Sequence, residues 1–128
     1  AYVCKGRFAD LTADGIPLVE EIRIPEGEEG LFFDYEKIEG ESVAVIATAA
    51  RIFRMDCGGE EFSLELKAAD RIHVHTRLRL PWKPAYVTAL DEEGTAVNLT
   101  VSWEEKTDTV LLTYDSRDKM VTVRGRKA

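Results

Sequence analysis

Apolar and polar residues alternate along most of this chain. That is the spacing of a strand with one buried and one exposed face. The longest run spans residues 71–80. Ile72, Val74, Thr76, Leu78 and Leu80 alternate there with Arg71, His73, His75, Arg77 and Arg79. Pro81 and Pro84 close it, since proline cannot donate to a ladder. Phe62, Leu64 and Leu66 alternate with Ser63, Glu65 and Lys67, and Val97, Leu99, Val101 and Trp103 with Asn98, Thr100 and Ser102. Residues 2–8, 18–24, 31–35, 86–90, 109–114 and 120–124 read as further strands. Turn residues separate them: Asp14-Gly15, Pro25-Glu26-Gly27, residues 37–41 around Gly40, Asp91-Glu92-Glu93-Gly94, residues 104–108 and Asp115-Ser116-Arg117-Asp118. Asp-Gly favours the positive φ of a tight hairpin.

Residues 42–56 are the ambiguous stretch. Their alanines permit a helix, but Val43, Val45, Ile46, Thr48 and Ile52 are β-branched, and no N-cap leads an i, i+3, i+4 stripe. Two strands are expected there, or one bent strand kinked near Ala49-Ala50. Short strands with turns about every 8–12 residues predict an all-β protein. The expected architecture is one antiparallel β-sandwich domain over residues 1–128, immunoglobulin-like or jelly-roll in type, with about nine strands. The last strands are expected to form a meander and residues 124–128 to fray.

Composition sharpens this picture. Among 128 residues there are 11 Val, 7 Ile and 10 Thr, one Asn (Asn98) and no Gln. The β-branched share fits sheet. The missing amides remove the usual neutral hydrogen-bonding groups from any binding face. Net charge is −7, but residues 1–40 hold ten acids and four bases while the rest is near neutral. An acidic surface repels phosphate backbones, so no nucleic-acid partner is expected. No apolar run is long enough for a membrane helix and no signal segment opens the chain, so a soluble protein is expected, of undetermined compartment. Glu26, Glu28 and Glu29 read as a solvated turn, lacking the spacing of a calcium loop. Cys4 and Cys57 show no Cys-x-x-Cys spacing and read as two unpaired, partly buried thiols.

Candidate chemistry gathers on the long strand. Alternation places Arg71, His73, His75, Arg77 and Arg79 on one face. The plainest reading is a solvent-facing strip whose arginines pair with carboxylates across strands, Glu61 and Glu65 being candidates. The second is a face for an acidic ligand or partner, because guanidinium forks suit carboxylates. The third is a metal held by His73 and His75, as in cupins, against which the neighbouring arginines and the missing glutamate argue. Trp82, between two prolines, either plugs the end of the sandwich or stacks on a ligand, and the plug is favoured. Without a nucleophile elbow, phosphate loop or dinucleotide motif, no catalytic residue and no cofactor are assigned.

Residues 78–124 carry a resemblance. Leu78-Arg79-Leu80-Pro81-Trp82-Lys83-Pro84-Ala85-Tyr86-Val87 leads to an acidic Gly turn. Val97-Asn98-Leu99-Thr100-Val101-Ser102-Trp103 and Thr109-Val110-Leu111-Leu112-Thr113-Tyr114 follow. This stretch resembles the C-terminal accessory β-sandwich domains of bacterial glycoside hydrolases. The resemblance implies a non-catalytic domain that packs on a neighbouring catalytic domain or protein partner and occasionally binds a glycan. It carries over no catalytic residue. The alternatives are a stand-alone protein binding an acidic ligand through the Arg/His face and, third, a metal-dependent cupin-like protein.

Overall fold

The alternating runs become eleven antiparallel strands, with no helix, in a computed structural model that describes residues 2–11, 13–34 and 43–128. The strands are β1 (Tyr2–Asp10), β2 (Leu18–Ile24), β3 (Phe32–Asp34), β4 (Ala44–Thr48), β5 (Arg51–Cys57), β6 (Glu61–Lys67), β7 (His73–Arg79), β8 (Pro84–Asp91), β9 (Thr100–Glu104), β10 (Thr109–Asp115) and β11 (Val121–Lys127). Tyr35 and the turn expected at residues 37–41 lie outside the described residues. No helix among the described residues is long and apolar enough to cross a membrane.

Two compact units form, Ala1–Gly40 and Glu41–Ala128. The first is a three-stranded sheet in the order β2-β1-β3. Asp14-Gly15 makes its expected hairpin turn: Gly15 has φ 79°, and the Asp10 N–H donates to Pro17 O at 2.9 Å.

The second unit is an antiparallel β-sandwich. One sheet runs β4-β7-β10-β9 and the other β5-β6-β11-β8. Neither closes into a barrel. Inward residues of both sheets meet in one apolar cluster: Leu64, Leu66 and Val123 from one sheet, Val74, Leu78, Val110 and Leu112 from the other. Each large side chain removed from water there contributes about 1.5–3 kcal/mol. The described part of the ambiguous stretch, from Val43 on, forms two strands, β4 and β5. The chain bends at Ala49-Ala50, where the Thr48 hydroxyl accepts the Ala50 N–H at 3.1 Å, and passes from one sheet to the other.

The chain changes sheet at β4/β5, β6/β7, β7/β8, β8/β9 and β10/β11. Its last strands therefore do not make the expected meander, because β10 and β11 lie in different sheets. The Asp91–Gly94 turn forms, with Gly94 at φ 80°, but its return arm pairs only at Leu90–Ala96 before crossing to the other sheet. Strand β9 thus begins at Thr100 rather than near Val97. The C-terminal residues do not fray: β11 runs to Lys127, hydrogen-bonded between β6 and β8.

Candidate functional site

Strand β7 is interior to its sheet, flanked by β4 and β10. Its inward residues Val74, Thr76 and Leu78 are buried, so His73, His75, Arg77 and Arg79 face outward, as their alternation requires. The antiparallel register sets His73 opposite Asp115, His75 opposite Thr113, Arg77 opposite Leu111 and Arg79 opposite Thr109. Glu61 and Glu65 are on the other sheet and do not serve this strip. Glu61 instead takes Arg126 at 2.8 Å.

Each member of the strip has a distinct fate. His73 Nδ1 lies 2.6 Å from Asp115 Oδ1, and His75 Nδ1 lies 3.0 Å from Thr113 Oγ1. The imidazoles meet edge to face with centroids 4.8 Å apart. The His73 hydrogen bond, aided by its charge and that of Arg117, holds the Asp115 carboxyl below the usual carboxylate range. Arg77 is 5% exposed. Its Nη1 donates to Glu104 Oε2 and to Thr109 Oγ1, both at 3.1 Å. Arg79 is half-buried.

Arg71 leaves the strip. It adopts φ 59° in the turn before β7, its N–H donates to Ser116 O at 3.0 Å, and its side chain is exposed beside Asp70. Buried Ser116 holds this turn: its hydroxyl accepts the Ile72 N–H and donates to Ala69 O. The structure therefore brings His73, His75 and Arg77 together and separates Arg71 from them. The two Nδ1 atoms meet Asp115 and Thr113 rather than a common point. Among the described residues no group of three or more His, Cys, Asp or Glu side chains converges on a metal position.

Trp82 packs against the apolar cluster. Its ring stacks on Phe62 at 6.2 Å, and its indole N–H donates to Gly59 O at 3.1 Å. This is the plug geometry. Cys4 and Cys57 are both free; Cys57 is exposed rather than partly buried, and partial desolvation and the Asp56 charge push its thiol pKa up.

Two further features had weaker signals in the sequence. Strand β5 exposes all seven residues, including Ile52, Phe53 and Met55. Its sequence marks it as a strand only, and its edge position depends on the order of distant strands. A cavity of about 360 Å³ opens where β10 outruns β9, and Asn98, the chain's sole amide side chain, lines it. The uniqueness of Asn98 was visible, but its place depends on the crossover of residues 97–99.

The fold and site define an antiparallel β-sandwich with an internally bonded His/Arg strip and, among the described residues, an edge strand β5 that exposes apolar side chains. Comparison with known proteins gave no matching family model, no matching curated protein and no matching solved structure.

Proposed function

We propose that this chain is a non-catalytic accessory or interaction domain that docks on a carbohydrate-active catalytic domain. The observation that carries this reading is β5. Among the described strands it pairs only with β6, so its other backbone edge is open to a partner. Exposed Ile52, Phe53 and Met55 supply an apolar centre, and Arg51 and the Arg54–Asp56 ion pair at 2.7 Å supply a charged rim. An apolar middle with a polar border is the composition of a docking surface. The carbohydrate association rests on the resemblance of residues 78–124.

A role for His73, His75, Arg77 and Arg79 in binding an acidic partner has less support. Arg77 is buried against Glu104, and His73 and His75 are engaged by Asp115 and Thr113. The cupin-like alternative has less still, given open-edged sheets and no converging metal ligands among the described residues.

The test begins with the natural gene. A carbohydrate-active catalytic domain is expected in the same reading frame or beside it, and its absence overturns the reading. Where it is present, titration of that domain with the 128-residue chain should show association. Met55→Lys should weaken it about 10-fold or more, the loss expected for an anchor residue, with the unfolding midpoint nearly unchanged. Association indifferent to Met55→Lys removes β5 from the interface.

A further inference from the structure

The outer face of the β5-β6-β11-β8 sheet carries charge of both signs. On β6, Phe62, Leu64 and Leu66 are buried inward, so Glu61, Ser63 and Glu65 point out. On β11, Val121, Val123 and Gly125 are buried inward, so Thr122, Arg124 and Arg126 point out. The register sets Arg126 opposite Glu61, Arg124 opposite Ser63 and Thr122 opposite Glu65. Arg54 and Asp56 of β5 border this face on one side, and Tyr86 of β8 on the other. Together these side chains line an open cavity of about 550 Å³, within the range of small-ligand sites.

The cavity is lined by three arginines and three carboxylates. Four of these charges are already matched. Arg54 Nε donates to Asp56 Oδ2 at 2.7 Å, and Arg126 Nη1 donates to Glu61 Oε1 at 2.8 Å. The other two are not. Among the described residues, nothing hydrogen-bonds to or ion-pairs with the Arg124 guanidinium or the Glu65 carboxylate. Glu65 is half-buried, and the arginine directly opposite it on β5, Arg54, is turned to Asp56. Arg124 and Glu65 are diagonal neighbours across β6 and β11. Such positions lie about 7–8 Å apart, and the two side chains leave that gap open.

An unmatched cation and an unmatched anion one diagonal step apart select their ligand by charge. A simple anion drawn to Arg124 meets Glu65, and a simple cation drawn to Glu65 meets Arg124. A zwitterion satisfies both. Its carboxylate takes the guanidinium fork, and its ammonium takes the Glu65 carboxylate. The Ser63 hydroxyl beside Arg124 and the Thr122 hydroxyl beside Glu65 offer further hydrogen bonds to the same two groups. Tyr86, 52% exposed, offers a ring as a wall for the ligand's side chain.

We infer that this face binds a free α-amino acid, its carboxylate on Arg124 and its ammonium on Glu65. Both residues lie on interior strands of the sheet, so the site stands or falls separately from the β5 backbone edge.

The backbone amides of Ser63, Glu65, Thr122 and Arg124 in the full chain report on the site in a proton–nitrogen correlation spectrum. Glycine, alanine, leucine, phenylalanine, glutamate and lysine are titrated separately at neutral pH to about 100 mM, a range that captures weak single-site binding. At least one should move these amides saturably. Its N-acetyl form lacks the ammonium and its amide form lacks the carboxylate. Each should bind about 10-fold more weakly, the equivalent of one lost charge-assisted hydrogen bond. Arg124→Gln should weaken binding and erase the advantage of the free amino acid over its amide. Glu65→Gln should erase its advantage over the N-acetyl form. Both variants should keep the parent's urea midpoint, since neither side chain has a partner to lose. No saturable shift with any of the six overturns the proposal, the result expected if Arg124 and Glu65 pair with each other in solution. Blocked forms that bind as well as the free amino acid, or variants that bind like the parent, overturn it equally.

Discussion

A Cβ on Gly125 would sit 2.2 Å from Phe62 Cε1 and 2.6 Å from Phe62 Cζ. No carbon pair tolerates that approach, and the Phe62 ring cannot simply turn away. It is 2% exposed and lies against Trp82. Gly125→Ala must then displace a packed aromatic pair, at a cost of about 1–3 kcal/mol. A lower urea midpoint with an unchanged slope is the expected result, and an unchanged midpoint would mean that Phe62 has room to move. Asp115 offers a second prediction at this scale. Its hydrogen bond to His73 lowers its folded pKa from the ordinary value of 3.8. The sign follows from linkage: the contribution to stability is present above the unfolded carboxylate range and lost as pH falls through the folded value. A carbon-detected titration should place the Asp115 midpoint below 3.8 in the parent, and nearer to it after His73→Ala. The alternation of β7 made the outward direction of His73, His75 and Arg77 readable from the sequence alone. The identities of Asp115 and Glu104 as partners were not readable, because register between strands some thirty to forty positions apart is set by the whole sheet.

Strands β5 and β6 are neighbours with opposite fates. In β6, Phe62, Leu64 and Leu66 are buried, whereas every residue of β5 is exposed. β6 alternates strictly, whereas β5 breaks register between Ile52 and Arg54; more decisively, β6 has a strand on each side and β5 has only β6 among the described strands. A large-to-small change should therefore separate them. Leu64→Ala removes packed methyl groups at 0% exposure and should cost about 2–5 kcal/mol. Phe53→Ser removes a ring 49% exposed, whose visible partner is the Arg51 guanidinium 4.9 Å above it, and should cost under about 1 kcal/mol. Equal losses in thermal unfolding would mean that the β5 ring is covered in solution. The same contrast explains which elements the sequence revealed. Strand existence followed from periodicity, and the bend at Ala49-Ala50 from composition. Sheet membership did not, because a turn such as Asp115–Asp118 serves equally as a hairpin or as a crossing between sheets. That is why the final strands, read as a meander, instead divide between the two layers, and why the cavity where β10 outruns β9 had no sequence signature beyond Asn98.

Across the whole molecule, burial and charge divide at the same place. Every residue of the main apolar cluster lies between Val43 and Val123. Among the described residues before that point, the buried hydrophobics are Phe8, Ala9 and Ile22. A sheet of three strands with so little buried apolar surface, and with Cys4 unpaired, falls below what an independent fold requires. The sandwich contains its own two layers and the links between them. A fragment of residues 43–128 should therefore unfold cooperatively by circular dichroism and give a dispersed amide spectrum, while residues 1–40 alone should give the spectrum of an unfolded peptide. Charge adds a second expectation. The stretch from residue 41 onward holds fourteen acids and thirteen bases, whereas the full chain stands at −7. Little self-repulsion then opposes contact between copies of the fragment, and its exposed β5 is an edge suited to such contact. The fragment should fold yet lose solubility as concentration rises, and Met55→Lys, adding charge to that edge, should restore it. A fragment that fails to fold at low concentration would show that the apolar cluster needs residues outside 43–128. One that folds and stays soluble without the substitution would show that β5 is not the sticky edge.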